Sequence, residues 1–406
     1  MTHLGTVAKT VQEGSLYVML LMLPFAPAAI ESMFGVLLFG WLAQRLDPHT
    51  RAETLWTGPR LRGLLMAVVA YLFICGVSIA VSDYPQKSIQ GFINKWLEYL
   101  LLFGMAADVA SRPHVIERCG KVIAWSAALV ILEAVSQEFL GKGLFRGHRL
   151  TAYGRMTGPY TNPIDLATYL MVAIPLLFSV VLTWRGWRRV AGSALIVGLM
   201  MCLGRTAAIG AWMGLCVGLA GMVFASRAMR RLGAVSLIIL MVGGVTWFQY
   251  VGRLDRQFLP TDIGPSDRWV MWQAAVGMIK DRPVLGHGLN TFMANYLTYW
   301  VGGERQPRYA HNCYLQVAAE TGITGLVTFL VLLGVLFWRL IARVRRLAGH
   351  PQILLWGFCV GLLAFITQAA VDTNFYSLRQ AALFWVVAGL ALGLSERDVS
   401  HASPTL

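Results

Sequence analysis

Apolar blocks of about 17–25 residues, the length a helix needs to cross a bilayer, recur from one end of this sequence to the other, separated by short polar connections. The pattern predicts membrane helices near residues 14–29, 30–45, 63–81, 89–108, 121–138, 163–183, 190–204, 206–225, 233–250, 322–340, 353–371 and 378–394. That is about twelve spans, with both termini on one side. One interval breaks the rhythm. Residues 251–321 form a long loop, so the expected organisation is nine helices in 1–250, the loop with the chemical elements in 251–321, and three helices with a short tail in 322–406. Within the loop, Ser266-Asp267 followed by Arg268 to Lys280 reads as a capped amphipathic helix stopped by Pro283. Gly286-His287-Gly288 reads as a turn; it is too short, and lacks the preceding strand, for a nucleotide fingerprint.

Composition agrees with the pattern. Hydrophobic residues make up 57% of the 406 and charged ones 13%, which excludes an ordinary soluble enzyme with its polar shell. The fold class expected is an all-α polytopic membrane protein with one large outer loop. The first apolar stretch is followed at once by further spans, so a cleavable signal peptide is not expected. Six cysteines are scattered, mostly within apolar runs and without a C-x-x-C pair, and read as packed, reduced thiols rather than metal ligands.

The formal charge of +14 raises nucleic acid as a partner. In a chain this apolar it reports instead the excess of Lys and Arg on cytoplasmic connections. Arg45/Arg51/Arg60/Arg62, Arg112/Arg118/Lys121, Arg185/Arg188/Arg189, Arg227/Arg230/Arg231 and Arg339/Arg343/Arg345/Arg346 alternate along the chain so as to share one side, and that side is expected to be cytoplasmic. The other side should then be poor in cations. By the same assignment it holds 15 of the 34 Lys and Arg: Lys87, Lys95, Lys142, Arg146, Arg149, Arg155, Arg205, Arg253, Arg256, Arg268, Lys280, Arg282, Arg305, Arg308 and Arg379. A long loop crosses regardless of charge, which accounts for about seven of them. It does not account for Lys87, Arg155, Arg205 or Arg379. An anionic ligand on the outer face does.

Four constellations lie at that face. His311-Asn312-Cys313-Tyr314-Leu315 opens the apolar run that returns to the membrane; a histidine there suits a general base near neutral pH, and equally a capping or interfacial role. Arg268 sits in the first turn of the loop helix, where a cation opposes the helix dipole unless a phosphate lies between; a salt bridge to Asp267 or Asp262 would also satisfy it. Arg205 splits a 35-residue apolar stretch at Cys202-Leu203-Gly204-Arg205-Thr206. An ionisable group so placed marks function, or it snorkels at a helix hairpin. Arg155 through Pro163 forms a Gly/Pro-rich turn holding Arg155 and Asn162, which is a binding element or simply a tight turn. Asp83-Tyr84-Pro85-Gln86-Lys87 and Asp372-Thr373-Asn374 are weaker members at the same level.

These residues carry a resemblance. Gly158-x-x-x-Asn162-Pro163, the Gly204-Arg205 break, Arg268-x-x-x-Trp272 with Pro283-x-x-Gly286-x-Gly288, and His311-Asn312-x-x-Leu315 with Gly322-x-x-Gly325 together resemble the O-antigen ligase/polymerase superfamily, WaaL-type ligases above all, over about residues 60–395. Many relatives have a serine before the arginine; Gly204 stands there, so no serine role carries over. The resemblance implies a GT-C-like glycosyltransferase of the bacterial inner membrane. A glycan on undecaprenyl pyrophosphate would be transferred, at the periplasmic face, to a hydroxyl of lipid A-core. No metal or other cofactor is expected, since no Asp-x-Asp pair lies on the outer side and fixed guanidiniums supply the same charge. His311 would take the acceptor proton while Arg205 and Arg268 hold the pyrophosphate. Arg155, Asn162, Lys87, Asn312, Tyr314, Arg282, Arg308 and Arg379 are the expected substrate-binding residues.

Three other readings remain open at this point. An O-antigen polymerase differs only in acceptor. A protein O-oligosaccharyltransferase is expected to carry a large outer C-terminal region, and only about twelve residues follow the last expected span. A lipid-linked glycan transporter would concentrate its charges near the midplane and often show inverted repeats, neither of which is evident.

Overall fold

The computed structural model describes residues 3–50, 54–152, 154–225, 230–254, 265–302, 306 and 308–397. Among them the chain is helical and contains no β-strand. Helices α1 (His3–Met22), α2 (Pro27–Leu46) and α3 (Arg62–Ala80) are followed by α4, a continuous helix over residues 85–110 that passes through one π-helical stretch at Phe92–Leu97. Then come α5 (Val115–Leu140), α6 (Pro163–Thr183), α7 (Trp187–Thr206), α8 (Ile209–Ala225) and α9 (Arg230–Leu254). The loop helix α10 (Pro265–Asp281) precedes α11 (Cys313–Arg346), α12 (Gly349–Gln368) and α13 (Leu378–Ser395). Among the described residues eight segments are long and apolar enough to cross a membrane, those of α2, α3, α5, α6, α7, α11, α12 and α13. This is an all-α polytopic membrane protein.

The helix boundaries follow local chemistry. Proline occupies the first turn of α2, α4 and α6, where its missing N–H costs nothing. The expected first span, 14–29, is displaced: α1 ends at Met22 because Pro24 and Pro27 cannot continue it, and Pro27 starts α2 instead. The loop helix starts at Pro265, so Asp267 lies in its first turn rather than at a cap.

Lipid replaces water as the solvent of the outer surface. Phe39, Met66, Phe73, Trp125 and Trp338 are each 67–75% exposed, while Trp96, Trp356 and Trp385 are buried. Without a hydrophobic drive between helices in lipid, close packing has to hold them together. A Cβ added at Gly389 or Gly393 of α13 would fall 2.6 or 2.5 Å from the carbonyl oxygens of Phe103 and Ala107 on α4. Gly214 and Gly218 of α8 approach Ala364 and Val360 of α12 equally closely.

Successive helices run in opposite senses, so their connections gather at two ends. At one, Arg379 donates to the carbonyls of Pro24 and Pro159, Arg282 to that of Val81, and Met156 N–H to that of Arg205. These bonds bring the connections after α1, α3, α5, α7 and α12 together with the loop; this is the loop end. The opposite end carries ion pairs between Arg45 and Asp108 (2.7 Å), Arg112 and Glu13 (3.1 Å), and Arg339 and Glu396 (3.0 Å).

Candidate functional site

The loop is locked to the bundle at a break in α11. Gly322 has φ 71° and ψ −178°, so residues 313–321 and 323–346 are two helical segments meeting at an angle. The turn 283–288 fills the break. Ile323 N–H donates to Pro283 O (2.8 Å), His287 N–H to Ala319 O (3.1 Å), and Gly288 N–H to Glu320 O (2.8 Å). Backbone groups freed by the kink are thereby satisfied from the loop. The contact admits no side chain: a Cβ on Gly322 would sit 2.0 Å from Val284 O.

Glu320, fully buried beside this junction, is the hub of the loop end. Its carboxylate accepts from the N–H groups of Asn290 (2.7 Å) and Phe292 (3.2 Å), from Gln316 Nε2 (3.3 Å) and from the Tyr376 hydroxyl (3.0 Å). Lys95 lies within electrostatic reach of it, donates to Asn290 Oδ1 (2.8 Å), and stands 5.5 Å from the Tyr376 ring centre. Four elements meet here: the π-helical stretch of α4, the loop, the first segment of α11, and the connection before α13. Stretches of π-helix occur often at functional sites. Glu320→Gln removes the charge that Lys95 faces and replaces one accepting oxygen by a donor, and leaving buried partners unsatisfied costs about 1–3 kcal/mol. The expected result is a lower unfolding temperature for the detergent-purified protein, partly restored by adding Lys95→Met. An unchanged unfolding temperature in the single variant would refute this role.

His311 stands one residue before the cap of that first segment. Asn312 Oδ1 accepts from the N–H groups of Tyr314 and Leu315 (both 3.0 Å), a standard N-cap. His311 itself has φ 46°, an uncommon conformation for a residue with a side chain. Its Nδ1 lies 3.4 Å from Asp372 Oδ1 in an electrostatic contact that lacks hydrogen-bond alignment. Asp372 is fixed in turn: its backbone carbonyl accepts from Cys313 N–H (3.2 Å), and its carboxylate accepts from Thr373 N–H (2.8 Å). With Nδ1 facing a carboxylate, Nε2 is the nitrogen left to exchange a proton.

The other loop histidine is arranged differently. His287 is buried, its Nε2 donates to Met278 O (3.1 Å), and burial holds its imidazole below the ordinary histidine value. It is a neutral packing group.

The arginines divide in the same way. Arg155 is buried, 4% exposed, and its Nε donates to Thr206 O (2.8 Å), bracing the α7–α8 hairpin. Arg205 pairs through Nη2 with both carboxylate oxygens of Glu138 on α5 (2.7 and 2.8 Å) and stays about one-third exposed. Arg379 clasps Pro24 O and Pro159 O and lies 4.2 Å over the Tyr160 ring. Arg282 bridges Val81 O and Asp83 (2.9 Å) at the surface. Exposed Lys87 sits 5.2 Å from the Tyr84 ring centre. Arg308 is half-buried near Tyr296 and opposes the rise that burial gives its phenol. Arg268 is different: its Nε is buried with no hydrogen-bond partner among the described residues. Helix α10 packs its stripe Met271, Ala274, Ala275 and Met278 against Ala310, Phe292 and Ala319, which sets Arg268 at the start of a helix docked on the His311 segment. Arg253 and Arg256 carry side chains outside the described residues, as do Arg305 and Asp262.

Asn162, like Asn312, is a cap; its Oδ1 accepts from Ile164 N–H (2.8 Å) at the start of α6. Tyr314 donates to Ile366 O (2.6 Å) and ties α11 to α12. The structure thus brings His311 against Asp372, and gathers Arg155, Arg205 and Arg379 around the 155–163 turn. Glu138 is an addition, Lys95 was expected only as one of the outer-face cations, and Glu320 lay in the run that follows His311 with no role assigned to it. A glutamate within an apolar run is the one available signal for Glu320. The described residues gather no group of three His, Cys, Asp or Glu able to hold a metal ion.

Comparison with known proteins bears on this end of the molecule. The family model described as O-antigen ligase matches residues 190–330, from α7 through the loop and across the break in α11. The exopolysaccharide production protein ExoQ of Rhizobium meliloti is 22% identical over 371 residues, covering 83% of this chain and 79% of that protein. A Rickettsia conorii protein named as a putative polysaccharide ligase is 25% identical over 192 residues, 43% of each chain.

Proposed function

This chain belongs to the O-antigen ligase superfamily, and from that premise we propose that it moves a glycan from undecaprenyl pyrophosphate to a sugar hydroxyl of lipid A-core at the periplasmic face of the inner membrane. The observation that carries the reading is the His311–Asp372 pair, held 3.4 Å apart at the arginine-rich loop end. The acceptor hydroxyl attacks the anomeric carbon, a new C–O bond forms, and the bond to the pyrophosphate oxygen breaks. The hydroxyl proton passes to His311 Nε2, and Asp372 stabilises the imidazolium that results. One displacement inverts the anomeric centre.

Lipid pyrophosphate is already a good leaving group, so what it needs is charge. Guanidiniums fixed before reaction provide that without reorganising, and removing one such donor costs about 2.7–4 kcal/mol of barrier. Arg268 is assigned first, because its Nε has no hydrogen-bond partner among the described residues. Arg205 is assigned second; it would have to share its charge with Glu138. Arg379 and Arg155 act by holding the 155–163 turn in place.

The test is transfer by purified, reconstituted protein given an undecaprenyl-pyrophosphate glycan and lipid A-core. Product formed in excess EDTA supports the arginine-based mechanism, whereas activity abolished by EDTA and restored by a divalent ion overturns it. The long match to a protein of exopolysaccharide production favours one rival, a polymerase whose acceptor is a second lipid-linked glycan. Cells lacking the protein separate the two. Lipid-linked polymer accumulating beside bare lipid A-core supports the ligase, and loss of chain elongation supports the polymerase.

A further inference from the structure

A cavity of about 1020 Å³ lies at the end of the bundle opposite His311. It is walled by the first half of α5, the last turn of α6, the first half of α7, the start of α12 and the end of α13. Its volume is at the top of the ~300–1,000 Å³ range of small-molecule sites. The mechanism above makes no use of it.

Its lining has two zones. Deep inside, Ile116, Ala124, Val180, Leu195, Leu354 and Leu394 give an apolar wall. The rim holds Lys121, Arg185, Arg188 and Arg397, and the single carboxylate there, Glu117, is engaged by Lys121 at 2.7 Å. Arg397 is spent on the carbonyls of Ala110, Arg112 and Pro113, while Arg185 and Arg188 are exposed beside the Lys121–Glu117 pair, Arg188 within electrostatic reach of Glu117. Trp125 and Trp187, also in the lining, are 68% and 75% exposed, so the cavity opens at the surface. Tryptophans of this kind mark the depth of lipid headgroups.

We propose that this cavity binds one anionic glycerophospholipid, its acyl chain against the apolar wall and its phosphate between Arg185 and Arg188. A soluble phosphate would meet the rim charges but would leave the apolar interior unfilled. A zwitterionic lipid would fill the interior yet bring no net charge to the arginines. Basic pockets between membrane helices recognise acidic headgroups in this way. The inference stands on the cavity alone and is independent of the reaction assigned to His311.

Native mass spectrometry of the full-length protein in detergent, titrated with phosphatidylglycerol and with phosphatidylcholine, tests it. One retained phosphatidylglycerol per chain, bound roughly tenfold or more tightly than phosphatidylcholine, is expected. Arg185→Glu with Arg188→Glu should bring the two lipids level. Ala128→Trp, which narrows the cavity and leaves the charges, should weaken retention of both. Equal retention of the two lipids by the native protein overturns the proposal. So does an undiminished phosphatidylglycerol adduct in the charge-reversed variant, or its displacement by an equal concentration of glycerol phosphate. Arg185 and Arg188 are exposed, and the protein's elution volume confirms that each variant is folded.

Discussion

His311→Ala should slow glycan transfer about 10²–10⁴-fold, the usual contribution of a positioned general base. The protein should remain folded. The His311 ring makes no aligned hydrogen bond through Nδ1, and its fixed partner, Asp372, is tethered by its own backbone. Alanine at φ 46° bears the same left-handed strain that histidine does, about 1–2 kcal/mol. Donor binding, measured separately with the lipid-linked glycan, should stay near the native value. A variant that transfers at the native rate removes the base from the mechanism. Loss of donor binding in step with the rate would make His311 a positioning residue. Asp372→Asn, which keeps the shape and removes the charge, should fall between the native protein and His311→Ala.

The second large effect concerns folding. Gly322→Ala places a methyl group 2.0 Å from Val284 O and 2.2 Å from Val284 C, at a φ of 71° that disfavours any side chain. Relief requires the loop to withdraw, and withdrawal breaks three backbone hydrogen bonds between the turn 283–288 and residues 319–323. The cost should be about 3 kcal/mol or more. Gly334→Ala on the same helix is the control. No atom lies within 4 Å of its Cβ position, and alanine in a helix gains up to about 1 kcal/mol over glycine. After heating, chromatography of the detergent extract should show Gly322→Ala depleted and Gly334→Ala intact. Equal survival would mean that the break in α11 is not held by the loop.

Reading the sequence recovered most of the helices because lipid leaves the chain little choice: a span must be apolar and long enough. The miss at α1 came from weighing apolar length above Pro24 and Pro27. The site was less legible, and for a physical reason. The partners that decide each role are remote along the chain. His311 meets Asp372 across 61 residues, Arg205 meets Glu138 across 67, and Arg155 reaches Thr206 across 51. Nothing local marks such a pairing. The asparagines are the opposite case. Asn162 and Asn312 precede helices in the sequence, and both turn out to be caps, which are local by construction. Gly322-x-x-Gly325 was visible as a motif, but the break at its first glycine was not, since only the incoming loop shows why the backbone must turn there.

Arg379 holds the carbonyls of Pro24 and Pro159, and Asp372 holds His311. Both belong to the final hairpin of helices, which leaves the ribosome after every other contributor to the loop end. Synthesis runs from the first helix to the last, so a nascent chain carries its histidine without the carboxylate that orients it, and its 155–163 turn without the clasp. On the proposed mechanism the loop end therefore closes only when the chain is nearly finished, and a protein stalled or cut before residue 372 is expected to transfer no glycan, however well its earlier helices have packed.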